Sequence, residues 1–357
     1  MTSRGRGVLG LFPSLSETGG VQASGRVAWT GIRRALESAS RDALLFSYGG
    51  GAPTDGDGPA AVHCTSKLGA AFAALRTRWP VRLVVVWHIN LLKLLPFFRI
   101  GDARAVAVLH GIEGWKPLDR LTGALVERVD LLLSDSDHTW QRFLSANPRC
   151  AHRPHRTVHL GISTPFRGDV PAPGHPPVAL MVGRLLRSED YKGHREMIGA
   201  WPRVLERMPE AELWIAGEGD LRDELERGAR RQGLGERIRF WGSVSEARKH
   251  ELLTHCRCLA LPSKNEGFGL VYLEAMRLGR PCLVSTLDAG CEVVNPPEAG
   301  LSADVEKPEV LAAAICRLLT PGPEWAAWSR QARRRYEEHF TAAHFHERLV
   351  AALTPFL

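Results

Sequence analysis

The sequence lacks the features that would place the protein across a membrane, in an oxidising compartment or on a nucleic acid. No stretch reaches the ~18 consecutive apolar residues of a transmembrane helix, and the apolar run near the N-terminus is too short for a signal-peptide core. The 7 cysteines, an odd number without a C-x-x-C pair, describe neither a disulfide framework nor a structural zinc site. Arginines are spread along the chain without interleaved aromatic residues. We therefore predict a cytoplasmic protein that binds no nucleic acid.

What the chain does have is an ordinary globular composition and a basic charge. Its 357 residues, 44% hydrophobic and 24% charged, suit two domains of common size. The formal net charge of +7 suits an anionic membrane surface or a diphosphate ligand equally well.

Residues 259–285 carry the strongest pattern in the chain, LALPSKNEGFGLVYLEAMRLGRPCLVS. An apolar run is followed by a glycine loop at Glu266, a helical pattern that contains Glu274, and a second apolar run. This order predicts a βαβ unit, whose loop lies at the carboxyl edge of a parallel sheet, where α/β sheets bind ligands. Amides at the helix N-terminus attract anions, and the two carboxylates can accept hydrogen bonds from sugar hydroxyls.

This segment resembles the E-x7-E segment of family 4 of the retaining GT-B glycosyltransferases, the glycosyl transferases group 1. The resemblance implies an α/β fold with two Rossmann-like domains that face a central cleft. It also implies that Glu266 contacts the donor sugar, that Glu274 contacts the nucleotide ribose and that the loop amides contact the diphosphate. The loop residues to which it assigns donor binding are Gly267, Phe268, Gly269 and Leu270.

Two more segments of the second half resemble the same family. Arg184 follows an apolar run, and Lys192 lies in the sequence DYKGH before a helical pattern. A guanidinium fork and an ammonium group suit a diphosphate, and the resemblance implies that they also stabilise the leaving group. The sequence F-x-G-x-V, which ends at Val244, resembles the turn that lies against the nucleobase.

The first half resembles the family at the ends of its predicted strands. A glycine pair that ends at Gly20 follows the first strand, and the resemblance implies that its amides approach the donor phosphate. His110 begins an HG turn after another strand; it is either a proton carrier or sugar-hydroxyl ligand, or a structural histidine at a strand end. We include His110 with Glu266, Arg184 and Lys192 as the predicted catalytic residues.

Two Asp-x-Asp sequences raise the question of a metal, because glycosyltransferases of another fold hold a divalent cation with such a pair. Asp55 and Asp57 lie in a glycine-rich loop, and Asp135 and Asp137 lie where an S-x-x-T sequence, Ser136 to Thr139, starts a helix as an N-cap. We interpret both pairs as structural and predict no metal, and no cofactor apart from the nucleotide-sugar substrate.

Proline and glycine mark a predicted domain boundary. We predict an acceptor-binding Rossmann-like domain over residues 1–165, a linker over 166–177, a nucleotide-sugar-binding Rossmann-like domain over 178–335, and a C-terminal helix over 336–357 that crosses back to the first domain. Residues 91–98, LLKLLPFF, are interpreted as a buried helical turn; the alternative is a surface that contacts a membrane or a lipid acceptor.

The sequence thus predicts a retaining, metal-independent hexosyltransferase. It would move a sugar from a nucleotide-diphospho-sugar to a sugar or lipid-linked acceptor in polysaccharide or glycolipid assembly. The family resemblance implies that the donor phosphate is the base that takes the acceptor proton. Peripheral contact with the inner face of an anionic membrane is expected. The alternatives are a sugar-nucleotide epimerase on the same fold and a non-catalytic GT-B partner subunit.

Overall fold

The computed structural model describes residues 7–50, 61–163, 166 and 168–357. Backbone contacts divide the chain into two compact units. Unit 1 contains the residues up to 163 together with 340–357, and unit 2 contains residues 164–339. Each unit has a parallel sheet flanked by helices, which confirms the predicted α/β class.

Unit 1 is built on seven described strands in the order β3-β2-β1-β4-β5-β6-β7. These strands are β1 (Gly7–Pro13), β2 (Ala43–Tyr48), β3 (Ala61–Cys64), β4 (Val81–Val86), β5 (Arg104–Leu109), β6 (Leu131–Ser134) and β7 (His155–Thr157). The helices between them are α1 (Gly20–Ser38), α2 (Lys67–Arg76), α3 (Arg120–Val126) and α4 (Asp137–Ala146). Short 3₁₀ segments span Ile89–Phe97 and Pro148–His152.

Unit 2 has six described strands in the order β10-β9-β8-β11-β12-β13. They are β8 (Val178–Val182), β9 (Glu212–Ala216), β10 (Ile238–Gly242), β11 (Cys258–Leu261), β12 (Cys282–Ser285) and β13 (Gly300–Ala303). The helices are α5 (His194–Arg207), α6 (Arg222–Arg231), α7 (Glu246–His255), α8 (Leu270–Arg277), α9 (Gly290–Val294), α10 (Pro308–Leu319) and α11 (Pro323–His339). A 3₁₀ segment, Arg187–Lys192, precedes α5.

The C-terminal segment differs from the single helix predicted over residues 336–357. The helix α11 ends at His339, and a separate helix, α12 (Ala342–Leu353), belongs to unit 1. The break occurs at Thr341, because its side chain accepts a hydrogen bond from the His344 amide as an N-cap. Packing against α1 holds α12 in unit 1, with Nε2 of His346 2.8 Å from the Val27 carbonyl oxygen.

The apolar run at residues 91–98 lies in the core of unit 1. Leu91, Leu92, Leu95 and Phe98 are buried in one hydrophobic cluster with the sheet. This confirms the interpretation of the run as a buried helical turn, of which Lys93, Pro96 and Phe97 remain exposed. Within the described ranges, no helix combines the length and the apolar character needed to cross a bilayer.

The strand orders determine where each unit can bind a ligand. In unit 1 the first strand, β1, lies between β2 and β4, and in unit 2 the first strand, β8, lies between β9 and β11. At such a position, the loop after the first strand and the loop after one of its neighbours lead away in opposite directions. The two loops therefore leave a crevice at the carboxyl ends of these strands. Of the predicted site residues, Gly20 follows β1, Arg184 follows β8 and Glu266 follows β11.

The crevice of unit 2 depends on a close approach of backbone at Gly217, directly after β9. A Cβ atom on Gly217 would lie 1.8 Å from the carbonyl oxygen of Gly183, which follows β8. The Gly217 amide also donates to the Gly242 carbonyl at 2.9 Å. Only a glycine allows the ends of three neighbouring strands to keep this spacing.

We therefore predict that Gly217→Ala lowers the free energy of unfolding by about 2 kcal/mol or more, because the backbone must shift to admit a methyl group. The matched control is Gly228→Ala inside α6, where a Cβ atom would meet nothing within 4 Å. That change should stabilise the protein by about 0.5–1 kcal/mol. Urea unfolding of both variants tests the pair, and equal effects would contradict the prediction.

Candidate functional site

The carboxyl ends of β8 and β11 bring three of the predicted catalytic residues together through a fourth residue, Glu189. Arg184 forms an ion pair with Oε1 of Glu189. The Nζ atom of Lys192 lies 3.5 Å from Oε2 of Glu189 and 3.6 Å from Oε2 of Glu266. The cations and carboxylates therefore alternate in one continuous chain at the sheet edge.

The exposed fraction of the side chain differs along this series of charges, and Arg184 at one end of it is accessible to solvent. The side chain of Glu189 is 8% exposed, whereas that of Arg184 is 64% exposed. The buried carboxylate needs its cations, since a charge removed from water is costly without a partner. Lys192 lies between two carboxylates at distances longer than a hydrogen bond, so its ammonium group keeps donors for an incoming anion.

The glycine loop after β11 places Glu266 by its backbone. Gly269 has φ 84°, and a Cβ atom there would lie 2.4 Å from the Tyr272 ring. The buried Tyr272 donates its hydroxyl to the Leu261 carbonyl at 2.7 Å, which ties helix α8 to the end of β11. The carbonyl of Glu266 accepts from the Ala289 amide at 3.2 Å. The loop is thus fixed on both sides before α8 begins at Leu270.

A buried acid, Asp288, lies beneath this loop. Its Oδ1 accepts from the Gly290 amide at 2.9 Å, while Oδ2 has no hydrogen-bond partner. Burial raises the pKa of Asp288 to about 8, and the nearby charge of Glu266 adds to this rise. The Ser263 hydroxyl also interacts with this carboxyl group. With a pKa of about 8, Asp288 keeps its proton at pH 7.

Glu274 extends from α8 and is held by a lysine of the preceding helix. Nζ of Lys249 lies 2.8 Å from Oε1 of Glu274 and 2.9 Å from Oε2 of Glu246. Burial raises the pKa of Glu274, and the Lys249 ammonium group opposes this rise. Val244 lies in the turn between β10 and α7, one residue before the Ser245 N-cap, and is half-buried.

In unit 1, His110 lies at the end of β5 with a nearly buried ring. Nε2 is 2.7 Å from the Trp87 carbonyl oxygen, and Nδ1 is 3.7 Å from Oδ2 of Asp135. Burial alone would lower the pKa of His110, but the Asp135 and Glu113 carboxylates overcome it and leave this pKa raised. Burial raises the pKa of Asp135 to about 6.

Trp87 connects His110 to the glycine turn at Gly20. Its carbonyl contacts the His110 ring, and its indole Nε1 donates to the Val21 carbonyl at 3.1 Å. Gly20 is the first residue of α1, which no side chain caps. The structure thus brings His110 and Gly20 to the same crevice of unit 1, where β1 and β4 end.

The structure tests the structural interpretation of one Asp-x-Asp pair but not of the other. Ser136 accepts from the Thr139 amide at 3.0 Å, which confirms the N-cap interpretation at α4. Asp135 is buried beside His110 and does more than start a helix. Asp55 and Asp57 lie outside the described residues. In the part of the chain that the structure describes, no group of three His, Cys, Asp or Glu side chains is arranged to hold a metal ion.

The segment that contains Arg184, Glu189, Lys192 and Glu266 matches a known protein family. Residues 176–321 match the model of the family described as glycosyl transferases group 1. Unit 2 is a group 1 glycosyltransferase domain. This match confirms the resemblance predicted from Glu266 and Glu274, while the retaining family 4 assignment stays a prediction.

Relatives and solved structures extend the likeness over the whole chain. The chain is 35% identical over 252 residues to glycogen synthase of Mycobacterium tuberculosis, covering 67% of this chain and 60% of the synthase. It is 28% identical over 275 residues to a GDP-mannose-dependent monoacylated alpha-(1-6)-phosphatidylinositol monomannoside mannosyltransferase of Corynebacterium glutamicum, covering 71% and 70%. The chain therefore spans less than two thirds of the synthase.

The fold of the whole chain is that of the GT-B glycosyltransferases, as predicted. The crystal structure of HepE from Anabaena in complex with UDP and glucose superposes with a TM-score of 0.79 at 19% identity, over 98% of this chain and 99% of HepE. Sucrose-phosphate synthase of Thermosynechococcus elongatus superposes with a TM-score of 0.75 at 18% identity. At these identities the likeness shows the fold alone.

Sequence reasoning missed four residues of the group 1 domain and of unit 1. Glu189 could have been noticed, because it is a carboxylate between the cations Arg184 and Lys192. Lys249 is 25 residues from Glu274 in the chain and has no sequence signal. Asp288 and Trp87 follow apolar strands, but their neighbours in the sequence do not distinguish either of them from an ordinary turn residue.

We predict that Asp288→Asn stabilises the group 1 domain relative to the wild type, and increasingly so as the pH rises from 5 to 8. The folded protein keeps the Asp288 proton until about pH 8, whereas the unfolded chain releases it near pH ~4. Wild-type stability therefore falls over this window, and asparagine, which keeps the Oδ1 acceptor, removes the loss. Melting temperatures of both proteins at pH 5 and pH 8 test this; a constant or shrinking difference would contradict it.

Proposed function

We propose that the protein is a retaining, metal-independent glycosyltransferase that uses a nucleotide-diphospho-sugar. One observation carries the proposal: at the crevice of unit 2, Glu189 pairs with both Arg184 and Lys192, and Lys192 also lies beside Glu266 of the glycine loop. Cations for a diphosphate and a carboxylate for a sugar are the two kinds of group that such a donor requires at one place.

The leaving group is a nucleoside diphosphate, which gains charge as the bond to the sugar breaks. Arg184 offers a planar fork of donors, and Lys192 offers a compact charge next to it. Glu189 positions both cations before the donor binds, so little reorganisation remains for the transition state. The backbone at Gly267, Phe268 and Gly269 adds the N-terminal end of α8, which favours an anion.

Glu266 accepts hydrogen bonds from sugar hydroxyls and so holds the anomeric carbon in place. Its partner Lys192 contacts the diphosphate, which couples the position of the sugar to that of the leaving group. Retention by double displacement needs a second carboxylate about 5 Å from the first. Glu274, eight residues further on along α8 and paired with Lys249, does not fit that role.

The acceptor hydroxyl therefore attacks the anomeric carbon on the face that the diphosphate leaves. Its proton passes to an oxygen of the departing phosphate, and the bond between the anomeric carbon and that phosphate breaks. Glu274 then holds the ribose, and Val244 lies against the base. His110, whose two ring nitrogens face the Trp87 carbonyl and Asp135, supports the crevice of unit 1 from within instead of binding a sugar hydroxyl.

A lipid-linked acceptor in glycolipid or polysaccharide assembly is the partner that we propose. The similarity to a mannosyltransferase that acts on a phosphatidylinositol monomannoside supports a lipid acceptor. The net charge of +7 supports an anionic membrane as the place where it is met. An epimerase on the same fold would convert a donor without any acceptor, so product analysis separates it from the transferase.

We predict that Glu266→Ala lowers the rate of sugar transfer by about two to three orders of magnitude while the melting temperature changes little, because the carboxylate, 20% exposed, lies at the rim of the crevice and acts on substrate. The control is Glu210→Ala, an exposed carboxylate paired with His175. Transfer is followed by release of the nucleoside diphosphate, and the anomer of the product is read by NMR. Full activity of Glu266→Ala would contradict the assignment, and an inverted anomer would contradict retention.

We also predict that sugars linked to one of UDP, GDP or ADP raise the melting temperature equally in EDTA and in Mg²⁺, because protein cations neutralise the diphosphate. At a ligand concentration of 100 times Kd, the stabilisation is about 2.7 kcal/mol. It should disappear in Arg184→Ala and persist in Arg187→Ala, whose guanidinium pairs instead with Glu224. Stabilisation that requires Mg²⁺ would overturn metal independence.

A further inference from the structure

Helix α2 of unit 1 carries three large apolar side chains on one outward face. Leu68, Phe72 and Leu75 are 87%, 61% and 47% exposed. Their spacing of four and three residues places them along one stripe of a helix. The opposite face packs inward through the buried Ala70 and Ala74. The helix is thus bound to its unit by small residues and turns its large ones to the solvent.

Basic side chains flank this stripe on both sides. At 100° per residue, Lys67 lies roughly 100° to one side of the stripe and Arg76 roughly 80° to the other. Both are exposed, and the Arg76 guanidinium lies 5.5 Å from the centroid of the Phe72 ring. This is the arrangement of an interfacial helix, whose apolar face enters the acyl boundary while cations remain among the head groups.

The surrounding sequence has charge of one sign only. From residue 58 to residue 101 there are 6 lysines and arginines and no aspartate or glutamate, a net of +6 in a chain whose total is +7. Two of these cations are engaged elsewhere, since Lys93 pairs with Asp119 and Arg82 donates to the Phe356 carbonyl. The remaining Lys67, Arg76, Arg78 and Arg99 are exposed. Phe97, which is also exposed, belongs to the 3₁₀ segment that packs on α2.

We propose that the α2 face, defined as Lys67, Leu68, Phe72, Leu75 and Arg76, docks the protein on an anionic lipid bilayer. The apolar stripe supplies burial, and the one-signed charge around it selects anionic head groups. A second copy of the chain is the less favoured occupant, because it would bring two of these basic segments together. The inference rests on the proposed function in that it gives a membrane-borne acceptor a surface by which the enzyme reaches it.

The test is flotation of the full chain with vesicles of phosphatidylcholine, with and without about one third phosphatidylglycerol. The wild type should bind only the anionic vesicles and should be released between about 0.05 M and 0.5 M NaCl. The double variant Leu68→Gln/Phe72→Gln should lower the partition coefficient about tenfold or more, and Lys67→Glu/Arg76→Glu should remove the preference for phosphatidylglycerol. The control Val310→Gln, an exposed apolar residue of α10 in unit 2, should bind as the wild type does.

The proposal would be overturned if the wild type did not float with anionic vesicles. It would also be overturned if Val310→Gln lost as much vesicle binding as Leu68→Gln/Phe72→Gln. A concentration-dependent dimer in light scattering that Leu68→Gln/Phe72→Gln abolishes would also overturn it, because a second copy would then be the occupant. Donor-induced stabilisation is measured on every variant. If it persists while flotation fails, only the docking surface is wrong; if the wild type shows no donor binding, the proposed function itself fails.

Discussion

The buried carboxylate of Glu189 is the constraint on which the rest of the charged edge of unit 2 depends. A carboxylate taken out of water requires compensation, and two cations from the same segment, Arg184 and Lys192, provide it. Lys192 in turn draws Glu266 of the next loop into the chain of charges. The parallel sheet makes this possible, because β8 and β11 are neighbours and both end at this edge. The sheet topology places these residues close together. The need to pair the buried Glu189 carboxylate then sets the order in which cations and carboxylates alternate.

Much of the fold and of this edge could be predicted from the sequence because the signals are local. Apolar runs followed by glycine predicted the strand ends, and the positions of Arg184, Lys192 and Glu266 relative to those runs predicted their common edge. Partnerships could not be predicted in the same way. Lys249 reaches Glu274 from another helix, and Trp87 joins Val21 to His110 through one carbonyl and one indole. Such contacts depend on packing between elements and leave no periodic pattern.

The apolar segments of unit 1 also show which features the local sequence predicts and which only the packing between elements determines. Residues 91–98 contain more large apolar side chains than α2, yet most of them lie in the core. Composition records how apolar a segment is, but not which of its faces the sheet covers. In α2, alanines occupy the covered face and leucine and phenylalanine the open one, the reverse of an ordinary amphipathic helix. An exposed apolar stripe on a helix is therefore more informative than a longer apolar run that the fold buries.

Asp288 and Glu266 show how the fold gives two nearby acids different surroundings. Asp288 is buried, and burial outweighs its contacts with the Gly290 amide and the Ser263 hydroxyl and raises its pKa to about 8, so its neutral form is favoured at pH 7. Glu266 is more exposed and faces the Lys192 ammonium group. Were Asp288 charged, it would repel Glu266, whose carboxylate already contributes to the raised pKa of Asp288. With the lower acid neutral, Glu266 is the acceptor beside the glycine loop, where a sugar hydroxyl would need one.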